Sequence, residues 1–85
     1  MPFAPTTLTM YEAEKVLAQG LQAIAAGDTQ IDLGELQHFD SAAVATLLAW
    51  QREASTLGKT LRITQLPPGL ESLAKLYGVD HLLLR

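Results

Sequence analysis

Two periodicities of apolar residues alternate along the chain. Residues 29–33 and 59–64 alternate apolar with polar side chains, which is typical of strands, and residues 3–8, interrupted by Pro5, are predicted as a short edge strand. Residues 10–26 and 41–57 place apolar side chains at helical intervals. Strands that alternate with helices predict a small α/β domain whose sheet is largely parallel.

Capping residues set the boundaries of these elements. Thr9 and Glu12 have the spacing of a capping box, and the adjacent prolines at 67 and 68 predict the start of a third helix. Each helix is followed by a residue that can end it, namely Gly27, Gly58 and Gly78. Residues 34–40 are predicted as a connection and residues 79–85 as a short tail or edge strand. We therefore expect about four strands and three helices.

Size and composition exclude several classes of protein. The 85 residues make a single domain spanning 1–85, since a second core would need roughly 50 residues of its own. A net charge of −3 disfavours nucleic acid as a partner. There is no cysteine, and the two histidines, His38 and His81, lack metal-ligand spacing, so neither a metal nor a cofactor is expected.

No segment predicts export or insertion into a membrane. The apolar run at residues 42–50 is about half the roughly 20 residues that a membrane-spanning helix needs. Residues 1–9 lack the positive region and hydrophobic stretch of a secretory signal. We expect a cytoplasmic protein.

The junction before the second long helix contains two candidate N-caps, Asp40 and Ser41. Either side chain can accept hydrogen bonds from the free N–H groups of the first turn. A hydroxyl at a helix N-terminus is also a favourable place for a phosphate, because the dipole stabilises negative charge there. Capping and phosphorylation are compatible hypotheses.

A helical projection divides this helix into two faces. The broader face is expected to meet the sheet and contains Ala43, Val44, Leu47, Leu48, Trp50, Ala54 and Leu57. Trp50 is interpreted as a core residue. The other face has a stripe of small residues, continued by an arginine: Ala42, Ala45, Ala49 and Arg52. Such a stripe can dock a partner, or it can reflect the high helix propensity of alanine.

Two local patterns imitate enzyme motifs. Gly58-Lys59-Thr60 matches the last three residues of a phosphate-binding loop, but position 53 is glutamate where that motif needs glycine. His38 near Asp40 and Ser41 has no Gly-x-Ser-x-Gly context. The chain is therefore not expected to be an enzyme.

The block IDLGELQHFDSAAVATLLAW resembles the STAS domain family of anti-sigma-factor antagonists and sulphate-transporter tails. In that family a strand ending in Asp-Leu, here Ile31-Asp32-Leu33, leads to an Asp-Ser/Thr pair, here Asp40-Ser41, at the start of a helix. The downstream stretch LAKLYGV is similar to the last helix of the smaller MlaB-like members. Those members are accessory subunits of the bacterial ABC system that moves phospholipids and maintains lipid asymmetry. The resemblance covers about residues 6–84.

The sequence departs from the family pattern at two places. Ala43 stands where the family usually has glycine, and we expect its methyl group to hinder close approach of a partner backbone. The family often begins with an extra strand, for which the residues before Met10 leave no room. We expect a sheet that lacks this strand.

The resemblance implies a non-enzymatic subunit that binds the ATPase of a phospholipid-transporting ABC complex and supports its assembly or activity. It would be peripheral at the inner membrane through that complex. The expected partner-binding residues are Asp40, Ser41, Ala42, Ala45, Ala49 and Arg52, with Ser41 capping its helix and offering a hydroxyl to the partner.

Two alternatives remain open for Ser41. In the first, the chain is a signalling module in which a serine kinase phosphorylates Ser41 and thereby switches binding to a partner such as an anti-sigma factor. In the second, the chain is a purely structural module in which Ser41 has no role beyond capping.

Overall fold

The computed structural model describes residues 3–83, which form four strands and four helices. In chain order they are β1 (Thr7–Leu8), α1 (Ala13–Ala25), β2 (Gln30–Asp32), β3 (His38–Phe39), α2 (Ser41–Thr56), β4 (Arg62–Thr64), α3 (Pro68–Leu76) and α4 (Asp80–Leu83). The α/β class and the three long helices are as predicted. The predicted tail or edge strand at 79–85 is wrong, since its described part forms α4; residues 84–85 lie outside the described range.

Every strand pairing in the described residues is parallel. β1 pairs with β3, and β2 pairs with β4 in the register Ile31↔Ile63. An isolated parallel bridge between Phe3 and Ile31 joins the two pairs. Ile31 thus has a neighbour on each side, which makes β2 a central strand. The predicted edge strand at 3–8 is reduced to this bridge and β1, with a buried Pro5 between them.

The parallel strands determine where the helices begin. α1, α2 and α3 follow β1, β3 and β4, so all three start at the edge where the strands end. We call this the carboxyl edge and the opposite one the amino edge. The carboxyl edge holds the N-termini of these helices, and the amino edge holds their C-termini.

Each of these helices ends in a Schellman motif at the amino edge. After α1, the N–H of Gly27 donates to Ile24 O (3.1 Å) and that of Asp28 to Ala23 O (3.0 Å). The same pair of bonds follows α2 and α3. The three glycines have positive φ, at 114° for Gly27, 73° for Gly58 and 72° for Gly78. The predicted glycine stops are confirmed, because glycine adopts this conformation without steric cost.

Trp50 lies at the centre of the core and is fully buried. Its indole N–H donates to Leu17 O (3.1 Å), and its ring meets Phe3 edge-on with centroids 5.7 Å apart. On α1 the residue facing the indole is Gly20, where an added Cβ would clash with the ring. The core expectation for Trp50 is confirmed, and α1 packs closely on α2 because position 20 has no side chain.

The start of α1 differs from the prediction. The helix begins at Ala13 rather than Met10, and its N-cap, Glu12, makes no side-chain capping bond. Instead of forming a capping box, the Thr9 hydroxyl donates to the Glu12 carboxylate, and the Glu12 N–H donates to Thr9 O (3.1 Å). Met10 and Tyr11 consequently lie in a turn outside the helix.

The connection predicted at 34–40 contains β3, a strand of two residues. Two residues are too few to show a periodicity in the sequence. Leu36 and Phe39 pack against the core from this segment. Within residues 3–83, β1 is the first strand.

Candidate protein-binding site

Asp40 connects two segments of the carboxyl edge. It lies between β3 and α2 in extended conformation (φ −142°, ψ −164°), and its Oδ1 accepts the N–H of Ala42 (2.9 Å). Its Oδ2 accepts the N–H of Met10 (3.0 Å), which is 30 positions earlier. Asp40 is therefore the N-cap of α2 and also fixes the turn before α1.

Ser41 is the first residue of α2 and is exposed. The expectation that Ser41 caps its own helix is wrong, because the extended backbone conformation belongs to Asp40 and the Asp40 carboxylate bonds to the first turn. The Ser41 side chain lies at the positive end of the helix dipole and is accessible from solvent.

The predicted small-residue stripe lies on the outer side of α2. Ala45 and Arg52 are exposed, and Ala42 and Ala49 are half-buried. Ala43, by contrast, is fully buried with Val44 and Leu47. The expectation that the Ala43 methyl hinders a partner is therefore wrong, since this methyl group packs inside the protein.

Two residues of α2 depart from the predicted division of its faces. Leu57, assigned to the core face, is the C-cap and is 47% exposed. Thr46, which the helical projection placed on neither face, is buried, and its hydroxyl is satisfied by donating to Ala42 O (2.9 Å) within the helix. Neither residue belongs to the predicted stripe, whose four members lie on the outer side of α2.

Arg52 ends the stripe between two open grooves. A groove of about 370 Å³ separates α2 from α4 and is lined by Leu48, Gln51, Arg52, Ser55, Thr56 and Leu82. A second, of about 240 Å³, separates α2 from α1 and includes Leu17, Leu21 and Ala49. The outer face of α2 therefore presents small side chains near Ser41 and two grooves near Arg52.

Sequence reasoning missed the turn at Met10 and Tyr11, whose exposed fractions are 71% and 90%. The bond from Met10 to Asp40 places this turn beside the N-terminus of α2. The sequence signal for this turn was the presence of two large apolar residues between Thr9 and Glu12. We predicted the first turn of α1 at that place. The structure adds these residues to the surface around Ser41.

The motifs that imitate enzyme sites have structural roles. The Lys59 ammonium donates to Ile24 O (3.0 Å), which ties the end of α2 to the end of α1. Both oxygens of the Asp40 carboxylate accept backbone N–H groups. Asp32, from the strand motif, accepts the N–H of Gly34 (2.9 Å) and shapes the turn after β2. Each of these side chains holds the fold at a loop.

Residues 3–83 contain no group of three or more histidine, aspartate or glutamate side chains placed to hold a metal ion. None of the helices formed by these residues is long and apolar enough to cross a membrane.

The parallel α/β fold, with an Asp-Ser pair starting its longest helix and an exposed stripe below it, defines a STAS-type domain. The family model described as "Mlab, STAS domain" matches residues 5–85, and the chain belongs to this family. The resemblance stated from the sequence is thereby confirmed.

A curated relative is the intermembrane phospholipid transport system binding protein MlaB of Haemophilus influenzae (strain ATCC 51907 / DSM 11121 / KW20 / Rd). It is 44% identical over 49 residues, which are 58% of this chain and 47% of the relative. The match thus spans about half the length of that protein. No solved structure matches the chain significantly.

Proposed function

We propose that this chain is a non-enzymatic accessory subunit that binds the ATPase of a phospholipid-transporting ABC complex and supports its assembly or activity. Membership of the Mlab STAS family and the name of the Haemophilus relative support this function. The subunit would act in the cytoplasm, peripheral to the inner membrane through the transporter.

The observation that supports a docking function best is the outer stripe of α2. Ala45 is exposed and is not needed for the core, and the half-buried Ala42 and Ala49 flank it. Small side chains let a partner's helix or loop approach the α2 backbone closely, so a large contact area can form without rearrangement. Ser41 and Asp40 at one end and Arg52 at the other supply polar groups at the rim.

A bulky charge at the centre of the stripe tests this interface. Ala45→Arg should weaken binding to the purified ATPase by about tenfold or more, because a long cation would have to be accommodated in a closely packed contact. Ala18→Arg is the matched control, since Ala18 is an exposed alanine on α1. Isothermal titration calorimetry measures both. Equal affinities for the two variants would contradict the assignment of the stripe.

The partner itself can be identified by affinity purification. The tagged protein, taken from its own cells in mild detergent, should co-purify with an ABC ATPase and its permease, identified by mass spectrometry. Recovery of neither, with a kinase or anti-sigma factor in their place, would contradict the transporter function.

A second candidate function is a phosphorylation switch. The exposed Ser41 at the first position of α2 favours it, because a phosphate there would be stabilised by the helix dipole. A serine kinase should then modify the wild type and leave Ser41→Ala unmodified, and the modification should change binding to a partner such as an anti-sigma factor. Phosphopeptide mass spectrometry checks the site, and modification at another residue would argue against this function.

A further inference from the structure

The turn before α1 exposes two large apolar side chains, Met10 (71%) and Tyr11 (90%), at the carboxyl edge. Among residues 3–82, whose burial the structure describes, the other strongly exposed large apolar residues are Leu57, Leu76 and Tyr77, at the ends of α2 and α3 and thus at the amino edge. Tyrosine and methionine are enriched at protein interfaces, where their contact area is large. Only the pair formed by Met10 and Tyr11, of these two exposed apolar groups, lies beside Ser41.

Hydrogen bonds join this turn to the start of α2 and close it. The Met10 N–H donates to Asp40 Oδ2 (3.0 Å), and the same carboxylate caps α2 through Oδ1. Within the turn, the Glu12 N–H donates to Thr9 O (3.1 Å). The backbone of the turn is thus held beside α2 before any partner arrives, which lowers the backbone entropy lost when Met10 and Tyr11 are covered.

The charges around the turn have one dominant sign. Acidic residues in the first turn of α1 and in the loops of the carboxyl edge include Glu12, Glu14, Asp32, Glu35 and Asp40. Glu71, in the first turn of α3, forms an ion pair with Lys75 (3.8 Å) and is not counted with them. Lys15 lies among them on α1. Most of the described cations are farther along the helices or near the amino edge, namely Arg52, Lys59, Arg62 and Lys75. The apolar turn therefore has an acidic rim.

We infer that the turn at Met10 and Tyr11 is a second part of the docking surface, and that it enters an apolar recess of the ATPase bordered by lysine and arginine side chains. This inference rests on the proposed function and adds the chemistry of the partner's surface. A second copy of this chain fits poorly, because two carboxyl edges would bring like charges together. An anionic membrane surface would be repelled for the same reason.

Paired substitutions at the two edges test the apolar part. Met10→Ser with Tyr11→Ser should weaken binding to the purified ATPase about tenfold, because interface anchors of this type often contribute a kcal/mol or more each. Leu76→Ser with Tyr77→Ser is the matched control, with one aliphatic residue and one tyrosine at the amino edge, 77% and 54% exposed. Affinity within twofold of wild type is expected for this control.

The outcomes separate the inference from the proposed function. If Ala45→Arg loses affinity and the Met10/Tyr11 variant does not, the inference is overturned and the proposed function stands. If the wild type does not bind the ATPase, both are overturned. An equal loss in the two Ser pairs also overturns the inference, as does a wild-type dimer, measured by light scattering, that the Met10/Tyr11 variant dissociates.

Charge substitutions test the acidic rim. Glu14→Gln with Glu35→Gln should slow association several-fold at low salt and flatten its salt dependence, because the steering charges are removed. Gln22→Lys with Gln30→Lys is the control, because it changes the net charge by the same amount. Gln22 is exposed near the C-terminus of α1, and Gln30 is exposed at the start of β2. Stopped-flow mixing at several salt concentrations measures both. Equal slowing in the two variants would mean that net charge, not the acidic rim, governs association.

Discussion

The two ends of the helices are built in different ways. At the amino edge α1, α2 and α3 all end in the same Schellman motif with a glycine at positive φ. At the carboxyl edge the three N-caps differ: Glu12 makes no side-chain cap, Asp40 bonds two segments, and Pro67 precedes the proline at the first position of α3.

This difference indicates that the amino edge serves stability and that the carboxyl edge also serves the proposed binding. The helix ends at the amino edge are closed by backbone hydrogen bonds at glycines, and a side-chain bond there, from Lys59 to Ile24 O, joins two of these ends within the fold. The carboxyl edge depends on particular side chains, and these also surround the exposed Met10, Tyr11 and Ser41. Substitutions at the amino edge should change stability alone, and substitutions at the carboxyl edge should change stability and binding together.

The largest loss of stability is expected at the amino edge. Gly27 has φ +114°, a conformation that residues with a side chain rarely adopt, so Gly27→Val should lower the free energy of unfolding by about 2 kcal/mol. Urea denaturation measures the loss. Ala26→Val is the control, since Ala26 is exposed with φ −78°. The folded Gly27→Val variant should bind the ATPase with wild-type affinity. A weakened complex would contradict the view that the amino edge affects stability alone.

A smaller loss of stability, combined with a loss of binding, is expected for Asp40→Ala. Removing the N-cap should cost about 1 kcal/mol, and freeing the Met10 turn should weaken the complex. Asp40→Asn is the informative partner variant, because its single carbonyl oxygen can replace one of the two accepted bonds. Hydrogen exchange by NMR should show faster exchange of the Met10 amide in Asp40→Ala. Unchanged exchange would mean that Asp40 does not hold the turn.

The smallest effect is expected for Ser41→Ala. Since Asp40 caps α2, removal of the Ser41 hydroxyl should change the free energy of unfolding by less than about 0.5 kcal/mol. Ser72→Ala is the control, since Ser72 is an exposed serine in the middle of α3 whose hydroxyl donates only to Pro68 O (3.0 Å) within its own helix. Thermal unfolding compares the two, and a loss near 1 kcal/mol specific to Ser41 would restore it as a capping residue.

The amino edge was the more predictable part of the fold. A glycine after a helical stretch has one common use, so Gly27, Gly58 and Gly78 marked the helix ends correctly. The burial of Trp50, Ala43, Val44 and Leu47 also followed from helical periodicity over the 16 residues of α2. Long periodic segments provide enough positions for the pattern to be unambiguous.

Short elements and caps were less predictable. β3 and α4 have two and four residues, too few to show a period. The start of α1 was misplaced because Thr9 and Glu12 bond to each other in a turn, which the spacing of a capping box does not distinguish. For the candidate site, the stripe on α2 was correctly placed on the outside. The choice between Asp40 and Ser41 required the backbone conformation, and the Met10 turn required the contact with a residue 30 positions away.

The burial of Trp50 against Gly20 makes its intrinsic fluorescence a reporter of unfolding. The protein has a single tryptophan, carried by α2, and its indole touches α1 through Gly20 and Leu17 and the N-terminal segment through Phe3. Any loosening between these parts should expose the indole and shift its fluorescence to longer wavelength. Because Trp50 is fully buried, docking on the outer face of α2 should leave the emission unchanged, so one optical signal follows folding independently of complex formation.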